Sequence, residues 1–184
     1  MKKLITFATL VMLALPMFAQ EKPAVFEEPN VVKVNTLSLL VGTGSLFYER
    51  KLSDNLSGQM GVGYLSYKIE DSKFSGLILT PEVRFYPKSN AIDGFYLAPY
   101  FRYQNFKLEN TETNDKGTYA NYGGGLAIGR QWITDSGFTM DLFFGGHYSK
   151  GSIETEEGAT GDNFDVAKFE GFRIRIGFSI GFAF

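Results

Sequence analysis

A histidine and a serine in the stretch HYSKGSIE are the residues whose types and spacing come closest to a catalytic set. His147 and Ser149 are two positions apart, and Glu154 follows in the same stretch. A serine close to a histidine and a carboxylate can act as an activated nucleophile in ester hydrolysis. The simpler interpretation of His147 is a hydrogen-bonded interior side chain. We therefore predict that the protein is not an enzyme, and keep an esterase built on these three residues as the alternative.

Other chemistries have fewer residues to support them. His147 is the only histidine and cysteine is absent, so thiolate catalysis and metal sites made of cysteines or several histidines are excluded. The formal net charge is -2 with no cluster of basic residues, which argues against a nucleic-acid partner. We predict no cofactor and no metal.

One acidic stretch has carboxylates of the kind that calcium prefers. Its spacing does not follow the EF-hand pattern, and a solvated loop is the default interpretation. The carboxylates belong to Glu154, Glu156, Glu157, Asp162 and Asp165.

Alternating apolar and polar residues predict that β-strands position these side chains. From residue 31 onward the alternation has the period of a strand with two different faces, and no segment has a convincing helical pattern. The length suits a single domain, and an even number of strands permits up-and-down closure. We predict an all-β fold, a single antiparallel barrel of about eight strands. The predicted segments are 31–41, 45–52, 56–67, 74–86, 95–108, 118–133, 138–149 and 169–184.

The last segment, GFRIRIGFSIGFAF, has one face of Phe and Ile and another of Arg, Gly, Ser and Ala. In a soluble barrel the apolar face would form the core, whereas in a membrane barrel it would contact lipid. The recurring small residues and the terminal phenylalanine favour a membrane barrel. An exported soluble barrel that binds an apolar ligand is the alternative.

The N-terminus has the three parts of a secretory signal. Lys2 and Lys3 precede an apolar run, which Pro16 ends, and Ala19 lies just before polar residues. The run is shorter than the roughly 20 residues that a membrane-spanning helix needs. We predict a signal peptide over 1–19, a periplasmic segment over 20–30 and a barrel over 31–184.

The connections between segments alternate in length. Residues 53–55, 87–94 and 134–137 form short turns, whereas 69–73, 109–117 and 150–168 form longer loops, as is typical of the inner and outer ends of a membrane barrel. The first connection, 42–44, is short although it lies at the outer end. This orientation predicts an outer and an inner aromatic girdle. The girdle residues are Tyr64, Tyr103, Tyr122 and Tyr148 at the outer rim and Phe85, Phe95, Trp132 and Phe138 at the inner rim.

Strand parity turns a set of charged side chains inward. Buried charges must pair, because an isolated one costs several kcal/mol, so we predict a salt-bridge network in the lumen. The interior of an eight-stranded barrel is filled by its side chains, which favours a packed plug over an ion path. The predicted network comprises Glu49, Glu82, Arg84, Arg102, Asp141, Arg173 and Arg175. Pro81 and Pro99 each remove a ladder donor and predict bulges or local irregularity.

Five stretches, in order, carry a resemblance over nearly the whole mature chain: VNTLSLLVGTGSLFYERKL, GQMGVGY, LTPEVRFYP, GFYLAPYFRY and GFSIGFAF. Together they resemble an uncharacterised family of Gram-negative outer-membrane β-barrels that carries a domain of unknown function. The resemblance implies an outer-membrane location and assembly by the barrel-assembly machinery. The terminal aromatic strand resembles that of outer-membrane barrels, which implies an assembly signal at Phe178, Phe182 and Phe184.

The H-x-S pair is similar to that of the lipid A deacylase barrels. Lys150 stands where that family has an asparagine, and His147 and Ser149 have inward parity rather than lipid-facing parity. We therefore expect a non-enzymatic barrel in contact with outer-membrane lipid. Its role is structural in the envelope, or it presents the loops 109–117 and 150–168 to an extracellular protein or glycan.

Overall fold

The computed structural model is a closed barrel of eight antiparallel strands. It describes residues 28–69, 72–88, 91–110, 116–155 and 170–184. The predicted signal peptide and most of the predicted periplasmic segment lie outside these ranges. The strands are β1 (Asn30–Asn35), β2 (Thr43–Ser53), β3 (Leu56–Ile69), β4 (Ser72–Phe85), β5 (Gly94–Asn110), β6 (Lys116–Ile133), β7 (Phe138–Thr155) and β8 (Gly171–Ala183), with one short helix, α1 (Thr36–Leu39).

Each strand pairs with its neighbour in sequence, and β8 returns to pair with β1. The closing seam runs from Val31 opposite Ala183 to Asn35 opposite Ser179. The alternation of the sequence explains this architecture, because side chains of successive residues point to opposite sides of a sheet. The predicted fold class, an all-β up-and-down barrel of eight strands, is confirmed.

The two ends of the barrel differ. At the turn end lie both described chain termini and the short connections after β2, β4 and β6, where Asn30 and Phe184 exchange backbone hydrogen bonds of 3.2 and 2.9 Å. At the loop end lie α1 and the connections after β3, β5 and β7. The loops predicted over 109–117 and 150–168 are shorter than expected, because β5, β6 and β7 extend into both of them.

The first predicted segment, 31–41, is wrong beyond Asn35. There the side-chain oxygen of Asn35 accepts a hydrogen bond from the Ser38 backbone N–H (3.1 Å), and α1 begins at Thr36. An asparagine that bonds to backbone two or three residues ahead competes with a strand ladder and caps a helix. Apart from this four-residue helix, the described residues form strands and their connections, in line with the absence of a helical pattern in the sequence. Within the described ranges, no helix has the length and apolar character needed to cross a membrane.

The early end of β1 leaves one part of the barrel wall without a strand. Residues 171–178 of β8 have no partner among the described strands on the β1 side. The helix α1 lies beside them, and the Thr36 hydroxyl donates a hydrogen bond to the Phe178 carbonyl oxygen (3.0 Å). On the other side of α1, Ser38 Oγ donates to the Thr43 carbonyl oxygen (2.8 Å). A helical turn thus occupies the place of a β1 strand at the loop end.

Bulges or local irregularity were expected at the two strand prolines, and the structure has an irregularity there without a bulge. Pro81 stays opposite Met60 and Pro99 stays opposite Leu126, without any shift. Between β4 and β5 the register is constant, but the pairing is interrupted beside both prolines. Both missing N–H donors therefore belong to the β4–β5 seam, which loses hydrogen bonds while the strands stay in step. The register shift that does occur lies between Lys51 and Ser53.

Candidate functional site

A cluster of ion pairs fills the lumen near the turn end, and we call it the plug. Its charged members point inward because each has the inward parity of its strand, and all are buried. They come from β1, β2, β4, β7 and β8, so the cluster ties together strands on opposite sides of the barrel. The charged members of the plug are Lys33, Glu49, Glu82, Arg84, Asp141 and Arg175.

Lys33 and Arg84 share the same two carboxylates. The Lys33 ammonium lies 2.6 Å from Glu49 Oε2 and 3.0 Å from Asp141 Oδ2, and it also donates to the side-chain oxygen of Gln131. Arg84 Nη1 lies 3.2 Å from Glu49 Oε2 and 2.9 Å from Asp141 Oδ2. Removing either cation would leave carboxylates buried beside each other.

Glu82 connects Arg84 to Arg175. Arg84 Nε lies 2.7 Å from Glu82 Oε1, and Arg175 Nη1 lies 2.7 Å from Glu82 Oε2. The guanidinium carbon of Arg175 lies 4.5 Å from the centres of both the Tyr100 and Phe143 rings. Contacts on both sides fix its orientation, and Arg175 Nη2 is buried with no hydrogen-bond partner among the described residues.

Two phenols complete the plug on the turn side. The Tyr86 hydroxyl donates to Glu49 Oε1 (2.7 Å), and the Tyr96 hydroxyl donates to Asp141 Oδ1 (2.8 Å). The Arg84 guanidinium lies 4.2 Å from the Tyr96 ring centre. Burial, and then the negative charge of Glu49, raise the pKa of the Tyr86 phenol well above its usual value. Tyr86 therefore stays a neutral donor to the carboxylate.

The charges of the plug balance, because it holds three cations and three carboxylates. The connection after β4 covers it at the turn end, where Gln131 Nε2 donates to the Ile92 carbonyl oxygen (2.5 Å). Ile92 is 1% exposed and has a φ of 77°, which is costly for a β-branched residue. Packing and the Gln131 bond hold it there, and the lumen is closed at this end.

Two residues predicted for the network stand apart from it. Arg102 and Arg173 form no ion pair with a described carboxylate, although strand parity turns both inward. They line a cavity of about 370 Å³ on the loop side of the plug. Arg175 lines it too, and no Asp or Glu is among its described lining residues. Strand parity gives the face of the barrel on which these residues lie but not their height in the lumen.

The esterase candidates face the lumen. His147 and Ser149 are 6% and 1% exposed. His147 Nδ1 is 3.1 Å from the Tyr100 hydroxyl, and Ser149 Oγ accepts a hydrogen bond from Asn121 (3.3 Å). Glu154 lies on β7 opposite Thr118. Each of the two buried residues thus has a hydrogen-bond partner within the lumen.

The exterior changes character along the longer strands, β3 to β7. On β5 the outward residues from Phe95 to Tyr103 are apolar or aromatic, and the next ones are Asn105 and Lys107. The inward residues of β5 change in the opposite sense at the same height. Arg102 and Gln104 are polar, and the next inward residues toward the loop end are buried and apolar. These belong to an apolar cluster at the loop end that comprises Ile78, Phe106, Leu108 and Tyr119.

The predicted girdle residues lie at the two borders of this apolar belt. Tyr64, Tyr122 and Tyr148 are 57%, 58% and 59% exposed at the loop-end border, where Tyr103 pairs directly with Tyr122. At the turn-end border Phe85, Phe95 and Phe138 are exposed, and Trp132 is half-buried beneath Arg130.

The family described as "Protein of unknown function (DUF3575)" matches residues 6–161 of the sequence. The chain belongs to the DUF3575 family. The DUF3575 barrel is also similar to the crystal structure of a major outer membrane protein from Thermus thermophilus, with a TM-score of 0.53 and 17% sequence identity. That match covers 84% of this chain and 98% of the other, and at this identity it concerns the fold alone. No curated protein matches the sequence significantly.

Sequence reasoning missed three plug residues of this DUF3575 barrel. Lys33, Tyr86 and Tyr96 were not predicted, although Lys33 alternates with valines in VVKVN and so has clear inward parity. The two tyrosines lie where a strand meets a turn, and parity gives little information there. Among the described residues, no group of three or more His, Asp or Glu side chains is placed to hold a metal ion.

Proposed function

We propose that this protein is an outer-membrane β-barrel that catalyses no reaction and serves the envelope structurally or by presenting its loop end to a partner. The single observation that carries the membrane assignment is the reversal of polarity along the strands. Below the tyrosine border the exterior is apolar and the interior is charged. Above it the exterior is polar and the interior is apolar, as in a soluble protein.

The height of the apolar belt supports the same assignment. Phe95 to Tyr103 spans nine residues of β5, and Phe138 to Tyr148 spans eleven residues of β7. A tilted strand needs roughly 9–11 residues to cross a bilayer. Aromatic residues at both borders suit the two membrane interfaces.

A soluble barrel with an apolar ligand inside fits the side-chain distribution poorly. Its interior would have to accept an apolar molecule where Lys33, Glu49 and Arg84 are fully buried. Its exterior would expose Phe101, Phe144 and many other large apolar residues to water.

The neutral, closed plug supports a barrel that does not conduct, and the partners of His147 and Ser149 support one that is not an esterase. The polar extension above the tyrosine border supports presentation of the loops 109–117 and 150–168. A protein or glycan outside the cell is the kind of partner that such loops contact. During biogenesis, the exposed C-terminal Phe182 and Phe184 suit recognition by the barrel-assembly machinery.

Heat-modifiability tests the membrane assignment. The detergent-solubilised outer-membrane fraction is run on a gel with and without boiling, and a mobility shift of the mature protein is expected. Deletion of residues 156–168 should keep the shift, because none of the described strand pairs includes them. A protein that stays in the soluble fraction and shows no shift contradicts the proposal.

The non-enzymatic assignment has a separate test. The purified barrel is incubated with a medium-chain nitrophenyl ester beside the Ser149→Ala variant, and equal background rates are expected. Hydrolysis by the parent that Ser149→Ala abolishes would establish the esterase instead.

A further inference from the structure

The cavity above the plug has an excess of positive charge. Of its three arginines, Arg175 is neutralised by Glu82 at 2.7 Å, whereas Arg102 and Arg173 have no ion-pair partner among the described residues. Uncompensated charges in a confined site are costly, and an anion that enters between them relieves this cost. Guanidinium groups match phosphate and carboxylate oxygens with paired hydrogen bonds.

The floor of this cavity is preorganised. Glu82, Tyr100 and Phe143 hold the Arg175 guanidinium, and its buried Nη2 donor has no partner among the described residues. Tyr100 in turn contacts His147, with 5.9 Å between the ring centres. Donors that are held in place before binding lose little entropy when a ligand arrives.

The cavity lies at the height of the outer membrane interface. His147 pairs with Arg173, directly beside the pair formed by Tyr148 and Phe172 at the border of the apolar belt. Arg102 likewise precedes Tyr103 in sequence. In the proposed orientation, the arginines are level with the head groups of the outer leaflet.

The cavity also reaches the outside of the barrel beside α1. Its lining includes lumen-facing His147 and also Ile174 and Ile176, which point outward and are 66% and 59% exposed. The opening lies where β8 lacks a β1 partner, and the exposed Leu40 and Val41 follow α1 on its other side. Unpaired backbone at membrane depth is tolerated where it lines a polar cavity. The wall is therefore polar within and apolar at the opening.

We propose that this cavity binds the anionic head group of a membrane amphiphile, with its acyl chain leaving through the opening between α1 and β8. The inference rests on the membrane orientation proposed above. The three arginines receive a phosphate or carboxylate, and the isoleucines at the opening contact the chain. The plug forms the floor and prevents passage toward the periplasm.

Native mass spectrometry of the barrel in a neutral detergent tests this proposal. Dihexanoyl phosphatidic acid is the probe, and dihexanoyl phosphatidylcholine and inorganic phosphate are the comparisons. We expect one phosphatidic acid per barrel, bound at least 10-fold more tightly than either comparison. The Arg102→Gln/Arg173→Gln variant should lose at least 10-fold in affinity, and Arg130→Gln, on the exterior at the turn end, should lose none.

Each contrary result has a distinct meaning. Equal binding by the double variant overturns the site, and equal binding of inorganic phosphate shows a free-anion site and overturns the role of the acyl chain. A normal heat-modifiability shift confirms that the double variant folds. Arg102→Gln alone repeats the binding test, and its loss of phosphatidic acid affinity should be about half that of the double variant on a logarithmic scale. Heat-modifiability of the parent barrel does not depend on this binding. Failure of the membrane assignment can therefore be distinguished from failure of the proposed binding site.

Discussion

Replacing Arg84 tests whether the plug contributes to stability or merely fills space. Arg84 contacts three carboxylates at 2.7, 2.9 and 3.2 Å and is fully buried. Arg84→Met keeps most of the volume but leaves Glu49, Glu82 and Asp141 with one cation fewer. Removing one partner of a buried ion pair costs about 3–5 kcal/mol. A loss of 3 kcal/mol is about a 150-fold change in the ratio of folded to unfolded protein.

The assay is urea unfolding in detergent, followed by the fraction of unboiled protein that keeps the folded gel mobility. Arg50→Met is the matched control, because Arg50 lies next to Glu49 but points outward, and surface changes cost about 0.5 kcal/mol or less. Adding Glu49→Gln to Arg84→Met restores the charge balance. The double variant should therefore lose about 0.5–3 kcal/mol less of its free energy of unfolding than the sum of the two single losses. If Arg84→Met and Arg50→Met unfold at the same urea concentration, the plug is not the stabilising element inferred here.

Two further predictions concern packing and pH. Gly125→Ala should lower the free energy of unfolding by about 1–3 kcal/mol in the same urea titration. Its Cβ would collide with the Gly146 carbonyl oxygen and lie 2.6 Å from the His147 Cβ. Gly124→Ala is the control and should change little, because the nearest atom to its Cβ would be 3.8 Å away. Burial raises the pKa of Asp93 above its ordinary value, so its ionised form destabilises the fold and stability falls as pH rises through that pKa. Asp93→Asn should therefore raise the unfolding midpoint at pH 7 and have no effect below about pH 3.8, and an equal gain at both pH values would contradict this.

The strands were predictable because alternation is a local property of the sequence. Parity assigned Glu49, Arg84 and Asp141 to the lumen before any pairing was known. Parity does not give the height of a residue in the barrel, which depends on register across all eight strands. Arg102 and Arg173 were therefore grouped with the plug, although they lie above it.

The opening beside α1 was not predictable for a related reason. The sequence NTLSLLV alternates well enough to read as strand, and the deciding interaction is the hydrogen bond between the Asn35 side chain and Ser38 N–H. The cavity follows from the missing length of β1, which no local pattern records. The prolines show a similar limit, since their meeting at one seam depends on the register of β4 against β5.

The unequal strand lengths give the barrel an oblique rim. The wall is tall at β5, β6 and β7, which have 17, 18 and 18 residues, and low at β1, which has 6. In the proposed membrane orientation, a bulky molecule from the medium would meet the tall side first, whereas an amphiphile in the bilayer would reach the low side directly. The proposed partner contact at the loop end and the proposed amphiphile site therefore lie on different sides of the barrel.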